Sequence, residues 1–137
     1  MTVTSDRLRA RLERRFTVAG ISPYDRIEWQ RRDARLTDHR DGSVVFEALD
    51  VEFPADWSVT ASNIVAQKYF RHPAGAARET SLRQVIDRVV GRITEWGNRD
   101  GYFADADEAD TFADELRWLL LHQRVSFNSP VWFNIGT

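Results

Sequence analysis

The chain has 137 residues, enough for a single modest core, and its 42% apolar and 29% charged residues give it the composition of a soluble globular protein. It contains no cysteine, which excludes disulfides, thiolate metal sites and cysteine redox chemistry within this stretch. The net charge of −2 hides an asymmetry, positive up to Arg40 and negative beyond it, and no apolar run is long enough to cross a bilayer.

The opening Met1-Thr2-Val3-Thr4-Ser5-Asp6 lacks the apolar stretch of a secretion signal, so a cytoplasmic protein is expected. Next, Arg7, Arg9, Arg11, Arg14 and Arg15 interleave with Leu8, Leu12 and Phe16, which predicts an amphipathic helix with a solvated basic face. An arm for nucleic acid is the sharper alternative. No aromatic platform or groove-reading motif accompanies the charges, so neither nucleic acid nor membrane is the expected partner.

Gly20 to Asp25, with Pro23 inside it, reads as a turn. Ile27 and Trp29 then alternate with polar residues, Asp41-Gly42 supplies a hairpin turn, and Val44, Val45, Phe46, Val51 and Phe53 form a return strand stopped by Pro54. From Trp57 the spacing of Ala61, Ile64, Val65, Lys68 and Tyr69 predicts a helix reaching towards Pro73, with a breaker-rich connection over 72–76.

Ser81 and Gln84 form a capping box ahead of a helix whose stripe is Leu82, Val85, Ile86, Val89, Ile93 and Trp96, with Gly97 as its end. Gly101-Tyr102-Phe103 links it to a last helix capped by Asp107, whose shared face is Ala109, Phe112, Ala113, Leu116, Leu119, Leu120 and Gln123. His39, His72 and His122 stand apart without metal-ligand spacing, which suits surface or helix-end positions. The expected fold class is mainly α with a small β-hairpin (α+β).

The tail from Val125 to Thr137 differs in character. Pro130 is expected to rule out an α-helix across it, and Gly136 invites a tight turn. Asn128, Ser129 and Asn134 beside Trp132 and Phe133 make a hydrogen-bonding surface with an apolar backing, fit for a polar ligand. The same residues could equally satisfy loop backbone and fill core, and the residues alone leave both readings open.

The segment Asn128-Ser129-Pro130-x-Trp132-Phe133-Asn134-x-Gly136 resembles the Asn-Ser-Pro-x-Trp-Phe-Asn-x-Gly segment of class II, adenosylcobalamin-dependent ribonucleotide reductases. Glu13 to Thr17, Ser22 to Trp29, Asp41 to Phe46, Ala66 to Arg71 and Gly101 to Phe103 resemble the opening of the same enzymes, in order. The resemblance covers nearly the whole chain and favours the ligand-holding reading of the tail.

It implies that residues 1–124 form the N-terminal helical domain and residues 125–137 begin the substrate loop of a ten-stranded α/β barrel. It further implies reduction of ribonucleotides, as diphosphates, by a thiyl radical generated with adenosylcobalamin, with a cysteine pair reset by a dithiol such as thioredoxin. Ser129 matches the substrate-contacting position, while Asn128, Pro130, Trp132, Phe133, Asn134 and Gly136 match the supporting loop. No catalytic residue and no metal ligand is expected within the chain. The redox cysteines, the cobalamin contacts and the allosteric site of the family would lie beyond Thr137, so the expected role is one part of a larger reductase. A free-standing helical module binding a partner chain or nucleotide is the alternative.

Overall fold

A computed structural model describes residues 11–72 and 77–137. After a single 3-10 turn at Pro23–Arg26, strands β1 (Trp29–Thr37) and β2 (Val44–Pro54) form an antiparallel ribbon. Helices α1 (Val59–Lys68), α2 (Leu82–Arg99), α3 (Ala106–Leu121) and α4 (Ser129–Asn134) follow. The α+β class with a small hairpin is therefore the observed one, and no helix among the described residues is long and apolar enough to cross a membrane.

The ribbon pairs Trp29 with Pro54 and Thr37 with Val44. Its turn is closed by the Gly42 amide on the Asp38 carbonyl (2.8 Å), with Gly42 at φ 74°, a backbone region that glycine enters without steric cost. A bulge opposite Asp33 puts Asp50 at φ 55°, and the Asp33 carboxylate accepts from the Asp50 amide at 3.0 Å. Beyond the bulge, Val51 and Phe53 point into the core, where Phe53 stacks on Phe70.

Arg32 fastens the ribbon to the start of α1, donating to the carbonyls of Pro54, Ala55 and Trp57 and to Ser62 Oγ. That contact turns the Ser62, Val65 and Ala66 face of α1 inward and leaves Ile64 and Lys68 exposed. The α1 stripe inferred from spacing is thus rotated, and the helix closes at Lys68 rather than continuing towards Pro73. The connection at 73–76 lies outside the described residues.

Helix α2 starts as expected. Ser81 Oγ accepts from the Arg83 amide and Gln84 Oε1 accepts from the Ser81 amide, both at 3.1 Å. Leu82, Val85, Ile86 and Val89 are buried, joined by Val90, while Trp96 at the far end is more than one-third exposed. Gly97 does not end the helix, which runs on to Arg99 before Gly101 turns at φ 76°. Gly97 instead makes room for a neighbour: a Cβ there would lie 2.5 Å from the Phe103 ring.

Helix α3 is capped by Asp105, not Asp107, through a 2.9 Å bond from the Glu108 amide. Asp107 falls in the first turn, where its charge still suits the helix dipole. Ala109, Ala113 and Leu120 face the core, with Leu121 and the partly buried Leu116.

The basic N-terminal segment departs furthest from expectation. Residues 1–10 lie outside the described part, and residues 11–16 are not helical. They lie along α3 as a strap. Arg11 pairs with Asp105 and Arg14 with Asp114, the Leu12 amide donates to Glu108, and Glu115 collects the amides of Arg15 and Phe16 and the Thr17 hydroxyl. Phe16 stacks on Trp118 at 4.1 Å, and Trp118 on His122 at 4.2 Å. Carboxylates on α3 satisfy amides that a helix would have bonded internally, so the segment stays extended. Of the arginines of the predicted basic face, Arg11 and Arg14 are thus paired with carboxylates at and along α3, while Arg7 and Arg9 lie outside the described residues.

Candidate functional site

The chain leaves α3 through His122 and through Gln123 at φ 56°, then runs without regular secondary structure to Asn128. Helix α4 follows, contrary to the expectation that Pro130 forbids one. Pro130 sits in the first turn, where its missing N–H costs no intrahelical bond and its fixed φ suits the helix. The Asn128 carbonyl accepts from the Val131 amide at 3.1 Å, while the Asn128 side chain makes no capping bond.

Three motif residues converge on Tyr69, the residue closing α1. Ser129 Oγ lies 3.1 Å from the Tyr69 hydroxyl. Trp132 and Phe133 pack on the Tyr69 ring at centroid distances of 6.0 and 5.6 Å, and Trp132 meets Phe127 edge-on. The Arg71 guanidinium lies 4.8 Å over the Phe133 ring. Trp132 is buried and borders an apolar cavity of about 240 Å³ that Trp57, Ile64, Leu120 and Val125 also line. Asn134 stays exposed, and its carbonyl accepts from Thr137.

The tail is held from beneath by Arg88 on α2. Its side chain is 4% exposed and forms an ion pair with Glu79, itself 3% exposed, at 3.0 Å. Nη1 donates to the carbonyls of Trp132 (3.0 Å) and Ile135 (2.7 Å), and Nη2 to the Tyr69 carbonyl (3.0 Å) and to Glu79 (3.2 Å). With Nε on Glu79, all five guanidinium N–H groups are used. The same cation thus ties the end of α1 to the end of α4. Gly136 completes the fit at φ 76°, since a Cβ there would stand 2.6 Å from Arg88 Cγ and 2.7 Å from the Arg88 carbonyl.

The structure therefore brings Ser129, Trp132, Phe133 and Gly136 into one framework and leaves the Asn128 and Asn134 side chains at its edge. Sequence reasoning missed Arg88, Glu79 and Tyr69 as parts of that framework. An arginine beside a helix stripe carries no local signal that its partners lie nine residues back and more than forty residues ahead. Tyr69 was visible as a member of the α1 spacing and of a longer matching block, with no signal of its contact to Ser129. Among the described residues no group of His, Asp and Glu is placed to hold a metal ion.

Comparison with known proteins gives the arrangement its context. A family profile described as class II vitamin B12-dependent ribonucleotide reductase matches residues 31–76 and 73–123. The chain is 55% identical over 128 residues to the vitamin B12-dependent ribonucleotide reductase of Streptomyces avermitilis, covering 93% of this chain and 13% of that protein. Its identity to the enzyme of the same name from Streptomyces coelicolor is 53% over 128 residues, covering 93% of this chain and 13% of that protein. To that from Rhodopirellula baltica it is 44% over 119 residues, covering 85% of this chain and 11% of the relative. This sequence spans about one-eighth of the length of the curated relatives it matches. With more than half of its residues inside the family profile and such identities across most of its length, the chain belongs to the class II vitamin B12-dependent ribonucleotide reductases, matching their N-terminal region.

Proposed function

We propose that this chain is the N-terminal part of a cytoplasmic, adenosylcobalamin-dependent ribonucleoside-diphosphate reductase, and that residues 125–137 begin its substrate loop, with residues 1–124 as the supporting domain. The reaction of the whole is reduction of ribonucleotides to deoxyribonucleotides for DNA synthesis, with a thioredoxin-type dithiol as the final reductant. The observation that carries the reading is the seating of Ser129. Its hydroxyl is half-buried on a frame fixed by Trp132, Tyr69 and the fully bonded Arg88. A hydroxyl held on a rigid frame loses little freedom when a ligand arrives, which favours recognition.

The role of this chain in that reaction is binding and orientation. Ser129 donates to an oxygen of the substrate nucleotide, Pro130 and Gly136 shape the loop, and Trp132 and Phe133 anchor it, with Asn128 and Asn134 as supporting positions. Adenosylcobalamin supplies the radical chemistry when bound. The cavity beside Trp132, about 240 Å³ and lined mainly by aliphatic and aromatic side chains with Gln123 and Ser126 among them, is far too small for a corrin ring. No contact to the cofactor is therefore assigned to these residues.

The test is Ser129→Ala in the full-length reductase carrying this segment. A hydrogen bond to a charged oxygen contributes about 1.5–3 kcal/mol, so nucleotide affinity should fall roughly ten- to hundred-fold while the melting temperature holds. An unchanged dissociation constant, Michaelis constant and turnover would remove Ser129 from the substrate site.

A further inference from the structure

We infer that Tyr69 is a positioning residue for the nucleotide, acting through Ser129, a role that rests on the assignment of Ser129 to the substrate loop. The two hydroxyls lie 3.1 Å apart, and the geometry lets either one donate. Acidity decides between them. A phenol is a stronger hydrogen-bond donor than an aliphatic alcohol, so the Tyr69 O–H points at Ser129 Oγ.

That direction has a chemical consequence. With an acceptor position of Ser129 Oγ occupied, the serine proton has no claim on Tyr69 and turns outward, towards whatever oxygen approaches the loop. Accepting a hydrogen bond also polarises the serine O–H and makes it a stronger donor. Tyr69 therefore sets the rotor of Ser129 in the sense needed to bind an electron-rich phosphate or ribose oxygen.

The tyrosine is built to hold that direction. Its ring is fixed by Trp132 and Phe133, the two aromatic residues of the same loop, and its carbonyl is gripped by Arg88 Nη2 at 3.0 Å. The hydroxyl oxygen cannot move off Ser129 without disturbing three contacts at once. Because those contacts involve the ring and the backbone, removing the hydroxyl alone leaves all of them in place.

The experiment is a double-mutant cycle with Tyr69→Phe and Ser129→Ala in the full-length reductase. Equilibrium dialysis against CDP reads binding, steady-state kinetics read turnover, and thermal melting reads the fold, with binding compared at a temperature where every variant is folded. The expected result is a three- to ten-fold weaker CDP affinity in Tyr69→Phe, appearing in KM rather than kcat, with an unaltered melting temperature. The double variant should bind no more weakly than Ser129→Ala alone, since Tyr69 acts only through the serine.

Wild-type CDP binding by Tyr69→Phe beside a weakened Ser129→Ala would overturn the positioning role and leave the loop assignment standing. Additive losses in the double variant would overturn it too, since Tyr69 would then act independently of Ser129. Unchanged binding in Ser129→Ala would mark the failure of the loop assignment itself.

Discussion

Arg88 is the residue on which the tail depends most. A guanidinium with every N–H engaged has exchanged its hydration for defined partners, and cutting it out leaves Glu79 as a buried unpaired carboxylate beneath three unsatisfied carbonyls. Breaking a buried pair from one side typically costs about 3–5 kcal/mol. Arg88→Met should lose stability in that range by urea denaturation, and adding Glu79→Met should recover part of it by removing the stranded charge. Equal stability of Arg88→Met and the native chain would mean that the tail is held by its aromatic contacts alone. Ser129, Pro130 and Trp132 could be picked out as a motif because they are contiguous. The arginine that holds them could not, because its contacts are assembled only by folding.

Local signals decided how well each element could be read. The capping box of α2 was legible because both of its members lie within four residues, and it formed as expected. Ser81 Oγ also donates to Glu52 at 2.7 Å, tying α2 to the ribbon. Ser81→Ala should therefore cost about 1–2 kcal/mol, the upper part of the range for a lost cap, measurable as a lower urea midpoint at unchanged slope. No shift in the midpoint would make the cap redundant. At the start of α3 the sequence pattern chose Asp107, wrong by two residues, because only the folded backbone shows which carboxylate meets the Glu108 amide. Pro130 misled for a related reason: its meaning depends on whether it falls in the first turn of a helix or later, and the start of α4 could not be placed beforehand.

Across the whole molecule, part of the charge asymmetry of the sequence became an internal contact, with Arg11 and Arg14 of the described leading segment paired to Asp105 and Asp114. Burial pushes the Glu115 carboxyl up, but hydrogen bonds from the Thr17 hydroxyl and the amides of Arg15, Phe16 and Thr17 outweigh it and hold it below the ordinary glutamate value. Asp105 is lowered likewise, first by its hydrogen bond from Arg11. A carboxylate depressed in the folded state contributes stability above its unfolded pKa and loses it as pH falls through the folded one. The strap should thus be fully held at neutral pH and come away below about pH 4. The indole N–H resonance of Trp118, shielded by the Phe16 ring, reports the change. Glu115→Gln should flatten most of that pH response, and an identical titration in the variant would exclude Glu115 as its origin. The chain's net charge and the spacing of its arginines were legible beforehand; that α3 would be their counterpart was not, since the partners are about a hundred positions apart.

That separation also has a consequence in time. Arg14 and Asp114 are 100 positions apart, so the strap has nothing to dock on until α3 has left the ribosome. At roughly 5–20 residues per second of synthesis, Phe16 waits on the order of 5–20 s on the nascent chain for Trp118 to stack on. The first described residues to emerge are thus among the last to find their place, and for that interval chaperones have access to the face of the Phe16 ring on which Trp118 will later stack.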